Sequence, residues 1–224
     1  MEDIKLIEVK EEILYDNIKQ AGEVRERLRK TKTMLLNLMS SPGSGKTSLI
    51  LQTAEGLRGS LRLGVIEADI DSTVDAEKVA ARGIRTIQLR TGGFCHLDAA
   101  MVTRGIDAID LDELDLVIIE NVGNLVCPAE FDTGAHKNVM ILSVPEGDDK
   151  PLKYPLMFSV CDLLLINKID YLSLSDFDAA TLRKRVLALN PRITILEVSC
   201  KTGVGIGSWI DWLKAEVEAF KRPK

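Results

Sequence analysis

The run Ser40-Ser41-Pro42-Gly43-Ser44-Gly45-Lys46-Thr47 stands between an apolar strand pattern, Met34 to Leu38, and a helical pattern that opens near Lys46. A strand, a glycine turn and then a helix is the context a P-loop requires. Gly43 and Gly45 let the main chain turn without a Cβ, and backbone N–H groups at the helix start present positive potential to phosphates. Lys46 reaches the terminal phosphates, Thr47 offers an oxygen to Mg²⁺, and Ser44 and Ser48 complete the cradle. Ser40 stands where the pattern has its first glycine.

Further short apolar runs alternate with helical patterns: Leu63 to Ile66, Thr86 to Leu89, Leu116 to Ile119, Val139 to Val144, Leu163 to Ile166 and Ile193 to Val198. Helices are expected to start near Lys46, Thr73, Leu97, Asp176 and Ser208. Such alternation predicts an α/β P-loop NTPase fold, a largely parallel sheet flanked by helices in three layers. At 224 residues and 46% hydrophobic content, one domain with a substantial core is expected. Residues 33–224 form that domain, and residues 1–32 an amphipathic helix. Its apolar stripe is Ile13, Leu14, Ile18, Ala21, Val24 and Leu28.

The net charge of −5 and pI near 5.2 disfavour nucleic acid and anionic lipid as partners. No apolar run approaches the roughly 20 residues of a membrane span, and the charged start resembles no export signal, so a cytoplasmic protein is expected. Four widely spaced cysteines then point to metal ligation or burial rather than to disulfides.

Asn167-Lys168-Ile169-Asp170 follows the apolar run 163–166, where a guanine-reading loop would sit. Asp170 would accept from guanine N1 and the 2-amino group, Lys168 would cover the base face, and Asn167 would tie the loop to the P-loop. Ser199-Cys200-Lys201, after the last strand pattern, could offer a backbone N–H to the guanine oxygen. Asp69, Asp75 and Glu120 end or follow strands on the side where ligands of parallel sheets gather, in reach of Mg²⁺. Asp75 reads equally as a first-turn helix acid.

Cys95 and His96 lie in one loop and Cys127 in another, both leaving carboxyl ends of strands. Thiolate and imidazole suit Zn²⁺ or Ni²⁺. On spacing alone, two buried thiols and a helix-capping imidazole explain these residues as well. Cys161 and His136 are read as structural, and Cys200 as a packed residue.

The P-loop, Thr91-Gly92 with Cys95-His96-Leu97-Asp98-Ala99, the stretch Glu120-Asn121-Val122-Gly123-Asn124-Leu125-Val126-Cys127-Pro128-Ala129, Pro145-Glu146-Gly147-Asp148-Asp149-Lys150 and Asn167-Lys168-Ile169-Asp170 together resemble the hydrogenase nickel-insertion GTPases called HypB. More distantly, the chain is similar to the urease accessory GTPases. The resemblance implies a GTPase that handles nickel during hydrogenase maturation, with Cys95, His96 and Cys127 as metal site and a GTP-favoured homodimer. It also implies the companion nickel chaperone HypA and the hydrogenase large subunit as partners. Some members carry cysteine or histidine motifs near the N-terminus, whereas Met1 to Leu36 contain neither residue. Metal is therefore expected to arrive from a partner.

Overall fold

The structure, a computed structural model, describes residues 9–70 and 73–222. The chain runs through α1 (Val9–Thr31), β1 (Met34–Ser40), α2 (Lys46–Leu57), β2 (Leu63–Asp69), α3 (Val74–Ala80), β3 (Arg85–Arg90) and α4 (Ala99–Ala108). It continues through β4 (Leu116–Glu120), α5 (Cys127–Glu130), β5 (Lys137–Ser143), α6 (Lys150–Lys153), α7 (Pro155–Val160), β6 (Leu163–Asn167), α8 (Ala179–Leu189), β7 (Thr194–Glu197) and α9 (Ile206–Lys221). All seven expected strands are present, in the order β3-β2-β4-β1-β5-β6-β7, and every pairing is parallel.

β1 is buried at all seven positions because both faces of the sheet are covered, which is why it reads as a continuous apolar run. Leu36, Leu38, Val139 and Leu165 meet α2 and α9 on one face, where Trp209 donates through Nε1 to Thr53 Oγ1 at 2.8 Å. On the other face Leu35, Val117 and Ile119 pack against α1 and α4, and Met140, Leu164 and Ile166 against α7 and α8. Cys161 belongs to this last cluster and is buried, as read. The three layers place the β1, β2 and β4 carboxyl ends side by side.

The stripe of α1 is only partly apolar. Ala21, Val24 and Leu28 are buried, but Ile18 is 61% exposed, and the Ile13 side chain and residues 6–8 lie outside the described residues. Buried Asn17 takes over on that face, donating to Asp132 O at 3.0 Å and accepting from Ala99 N at 2.9 Å. The physical reason is the neighbour: this turn meets the start of α4, whose first N–H groups need acceptors, rather than an apolar wall.

His136 extends the β1–β5 pairing. Its Nδ1 accepts from Leu35 N–H at 3.1 Å, and its backbone N–H donates to Leu35 O at 2.8 Å. Burial, then Arg25 and Arg29, hold the imidazole down at about 4. The unfolded chain takes up this proton near 6.5 and the folded chain only near 4. This contribution to stability is therefore full above pH 6.5 and lost as pH falls toward 4, by up to about 3 kcal/mol. Urea unfolding of the parent and of His136→Asn, whose Oδ1 can also accept from Leu35, should show a parent-minus-variant stability that declines across this window. A flat difference would contradict it.

Candidate functional site

The P-loop caps β1. Gly45 has φ 109°, and a Cβ there would lie 2.5 Å from Asn167 Nδ2, so the position needs glycine for conformation and for space. Lys46 donates to Ser40 Oγ at 3.1 Å, which gives the serine in the first-glycine position a defined contact. The buried Ser44 Oγ has no hydrogen-bond partner among the described residues. A cleft of about 500 Å³ opens over this loop, lined by Gly43, Gly45, Lys46, Thr47, Ser48, Asp69 and the acids described next.

Thr47 donates to Glu120 Oε1 at 3.0 Å. Glu120 lies in register with Glu67 on the adjacent β2, and with Asp75 they bring carboxylate oxygens within 4.8 Å of one another. Burial and mutual repulsion push the Glu67 carboxyl well above the ordinary carboxylate range, and burial raises Glu120 as well. Glu67 Oε2 and Glu120 Oε2 have no hydrogen-bond partner among the described residues. Orphaned carboxylate oxygens beside a P-loop threonine fit a divalent cation such as Mg²⁺.

The structure adds one acid to the three read from the sequence. Asp69 lines the cleft but is not one of the three clustered carboxylates; Glu67, two residues earlier, is. The sequence pattern ended this strand at Ile66, whereas β2 continues to Asp69 and turns Glu67 inward. An acid inside an apolar strand run was the available clue. For Asp75 both readings hold, since it sits in the first turn of α3, accepts from Lys78 at 2.7 Å and joins the cluster.

At the other end of the P-loop, Asn167 donates through Nδ2 to Ser44 O at 2.9 Å and Lys168 donates to Gly43 O at 2.7 Å. Ser199 Oγ donates to Asp170 Oδ1 at 2.6 Å, joining the two loops expected to read a base. The Cys200 N–H donates to Asn167 Oδ1 at 3.2 Å and braces the loop. The Cys200 thiol is pushed up to about 11 by burial, in keeping with a packed residue. Lys201 places its ammonium over the Tyr171 ring.

Cys95, His96 and Cys127 come together. The two sulfurs are 3.0 Å apart, His96 Nδ1 is 3.9 Å from the Cys95 sulfur, and one donor atom from each residue lies within 4.8 Å of the others. None of the three is fully buried, and Asp98, not His96, caps α4 by accepting from Met101 N, so the reading as buried thiols and a capping imidazole does not describe this site. His96 stacks on Phe131 at 3.9 Å, and burial favours its neutral form, the form that ligates metal. The Cys127 thiol is raised by its hydrogen bond with Cys95 and by desolvation. Two sulfurs and an imidazole suit a borderline or soft cation.

This sheet, with its P-loop after the central strand, defines a P-loop nucleotide-binding protein, and residues 34–197 match the CobW/HypB/UreG nucleotide-binding domain. The hydrogenase maturation factor HypB of Azotobacter vinelandii is 45% identical over 212 residues, covering 95% of this chain and 70% of that protein. The hydrogenase/urease maturation factor HypB of Helicobacter pylori is 39% identical over 203 residues, covering 89% and 82%. A crystal structure of Helicobacter pylori HypB in complex with nickel superposes with a TM-score of 0.88 at 35% identity, over 93% of this chain and 98% of that one. The chain belongs to the HypB family of hydrogenase maturation factors. Among the described residues, no helix is long and apolar enough to cross a membrane.

Proposed function

We propose that this chain is a GTP-hydrolysing metallochaperone that assists nickel insertion during maturation of [NiFe] hydrogenase and whose metal site responds to the GTP or GDP state. The observation that carries this reading is the loop after β4: Asn121, Val122 and Gly123 line the phosphate cleft, and four residues later Cys127 enters the thiol–imidazole cluster. One short segment thus serves both sites.

In this reading the P-loop amides and Lys46 hold the phosphates, while Asp170, Lys168 and the Ser199–Lys201 loop select guanine. Thr47, Glu120, Glu67 and Asp75 would hold Mg²⁺ directly or through water, with Asp69 beside them. The ion, when bound, offsets charge on the transferring phosphoryl group. Cys95, His96 and Cys127 carry the cargo, Ni²⁺ or Zn²⁺. Three side chains leave a tetrahedral shell incomplete, and a second copy of the chain can supply the remainder. Ile70, Val74, Phe94 and Val126, all about half exposed, sit in or beside the segments that form the two sites and support a homodimer favoured by GTP. The companion chaperone HypA and the hydrogenase large subunit are the partners in this scheme. The Helicobacter pylori relative, named for both hydrogenase and urease, supports urease as a second client.

Intrinsic hydrolysis is expected to be slow. Asn124, which follows Gly123 in the loop after β4, turns its carboxamide to Cys95 O and Val126 N rather than into the cleft. The Asn124 amide is then not placed to orient the attacking water as glutamine does in faster switches. Single-turnover assays with Mg²⁺ should give a rate well below about one per second. The whole reading is tested by adding Ni²⁺ titration and sedimentation in GDP and in a non-hydrolysable GTP analogue. Absence of GTP cleavage, or of Ni²⁺ binding in both states, would overturn it.

A further inference from the structure

Two asparagines from the loop after β4 grip the Cys95–His96 segment by its main chain. Asn121, fully buried, accepts from Leu97 N–H at 3.3 Å and from Val122 N–H at 2.9 Å. Its Nδ2 donates to Asn37 Oδ1 at 3.0 Å, and Asn37 in turn donates to Asn138 Oδ1 at 3.1 Å, a row of amides that crosses from β4 through β1 to β5. A buried amide with both ends engaged is costly to move, so Asn121 is a fixed anchor.

Asn124 grips the other side of the same segment. Its Nδ2 donates to Cys95 O at 3.3 Å while its Oδ1 accepts from Val126 N–H at 3.0 Å. Unlike Asn121 it is only half-buried. It is also attached to the element that feels the phosphate site. Gly123 lies flat against the P-loop, where a Cβ would sit 2.9 Å from Pro42 Cγ and 3.0 Å from Pro42 N. Any shift of Pro42 or Gly123 on phosphate binding must therefore reach Asn124, the next residue, before it reaches Cys127. The two thiols sit on opposite sides of this hydrogen bond, Cys95 on the gripped segment and Cys127 on the gripping loop.

We infer that Asn124 is a positioning residue that links the two sites: its donor bond to Cys95 O sets the spacing of Cys95 from Cys127, and occupancy of the phosphate site makes or breaks that bond while Asn121 keeps the segment anchored. This rests on the reading of the chain as a nucleotide-dependent metal carrier. It places the Asn124 amide on the metal side of the loop, not beside the hydrolytic water.

The test uses Ni²⁺ alone as probe, followed by thiolate-to-metal absorption in GDP and in a non-hydrolysable GTP analogue. The parent chain should show affinities that differ between the two nucleotides by about 5-fold or more, the lower end of ordinary coupling between sites. In Asn124→Ala the ratio should fall to within about 2-fold of unity, whatever the change in the two affinities together. Asn124→Asp keeps the acceptor for Val126 N–H, and with it the loop turn, but removes the donor to Cys95 O. It should uncouple the sites as the alanine does, whatever its added charge does to both affinities together. A parent ratio of unity would overturn the nucleotide-dependent reading and the link with it. A parent ratio kept intact in Asn124→Ala and Asn124→Asp, with only GTP cleavage slowed, would overturn the link alone and assign Asn124 to the hydrolytic step instead.

Discussion

Asp170→Asn is expected to lower GTP affinity by roughly 10²- to 10⁴-fold, the largest effect of any single change in the base-reading loops. A carboxylate that accepts from both guanine N1–H and the 2-amino group makes two charge-assisted hydrogen bonds, each worth about 1.5–3 kcal/mol. The asparagine amide replaces one acceptor by a donor, which would meet the guanine donors head-on. Ser199 Oγ, which donates to Asp170 Oδ1 at 2.6 Å, can still donate to the asparagine oxygen, so the loop should keep its shape and the NH₂ should be left facing the base. Xanthosine triphosphate, with an oxygen in place of the 2-amino group, should then bind the variant better than GTP does. Calorimetry with GTP, xanthosine triphosphate and ATP checks this. Unchanged GTP affinity in the variant, or equal ATP and GTP affinity in the parent, would show that Asp170 does not read the base.

The parts of this molecule that were legible in the sequence are those governed by local pattern. Strands buried on both faces announce themselves as apolar runs, and Gly45 and Lys46 announce the phosphate loop because few other arrangements need a glycine followed by a lysine between a strand and a helix. What was not legible depends on cross-strand register or on the chemistry of a neighbour. Glu67 becomes a candidate ligand only because β2 pairs with β4 so that it faces Glu120, a fact no local window contains. Asn17 replaces an apolar contact because the start of α4 happens to lie opposite it. Asn124 shows the same limit: only the approach of the Cys95 loop reveals the partner of its amide. The thiol–imidazole cluster lies between these cases. Its residues could be named from their positions after β3 and β4, but β2 separates β3 from β4 in the sheet, so the two loops must reach across it to meet.

Removing either sulfur of that cluster should nearly abolish Ni²⁺ binding, whichever nucleotide is present. Cys127→Ala and Cys95→Ala each leave one thiolate and one imidazole, and the affinity should fall by more than about 100-fold, since loss of outer partners alone typically costs 10- to 100-fold. His96→Ala should cost somewhat less than either thiolate, because it spares the two anionic ligands. Both sulfurs must lose their protons to bind, and the Cys127 thiol is held above its ordinary range by its hydrogen bond with Cys95 and by desolvation. Metal must therefore displace protons, so apparent affinity should drop as pH falls and climb as it rises, and the parent should release protons on titration in weak buffer. Cys161 provides the control: it is buried at the C-terminal end of α7, and burial drives its thiol still further from ionisation. Cys161→Ala should lose some stability through the cavity it leaves while keeping the full metal affinity and thiolate absorption. Full Ni²⁺ affinity in Cys95→Ala and Cys127→Ala together, or loss of binding in Cys161→Ala with the fold intact, would place the metal elsewhere in the molecule.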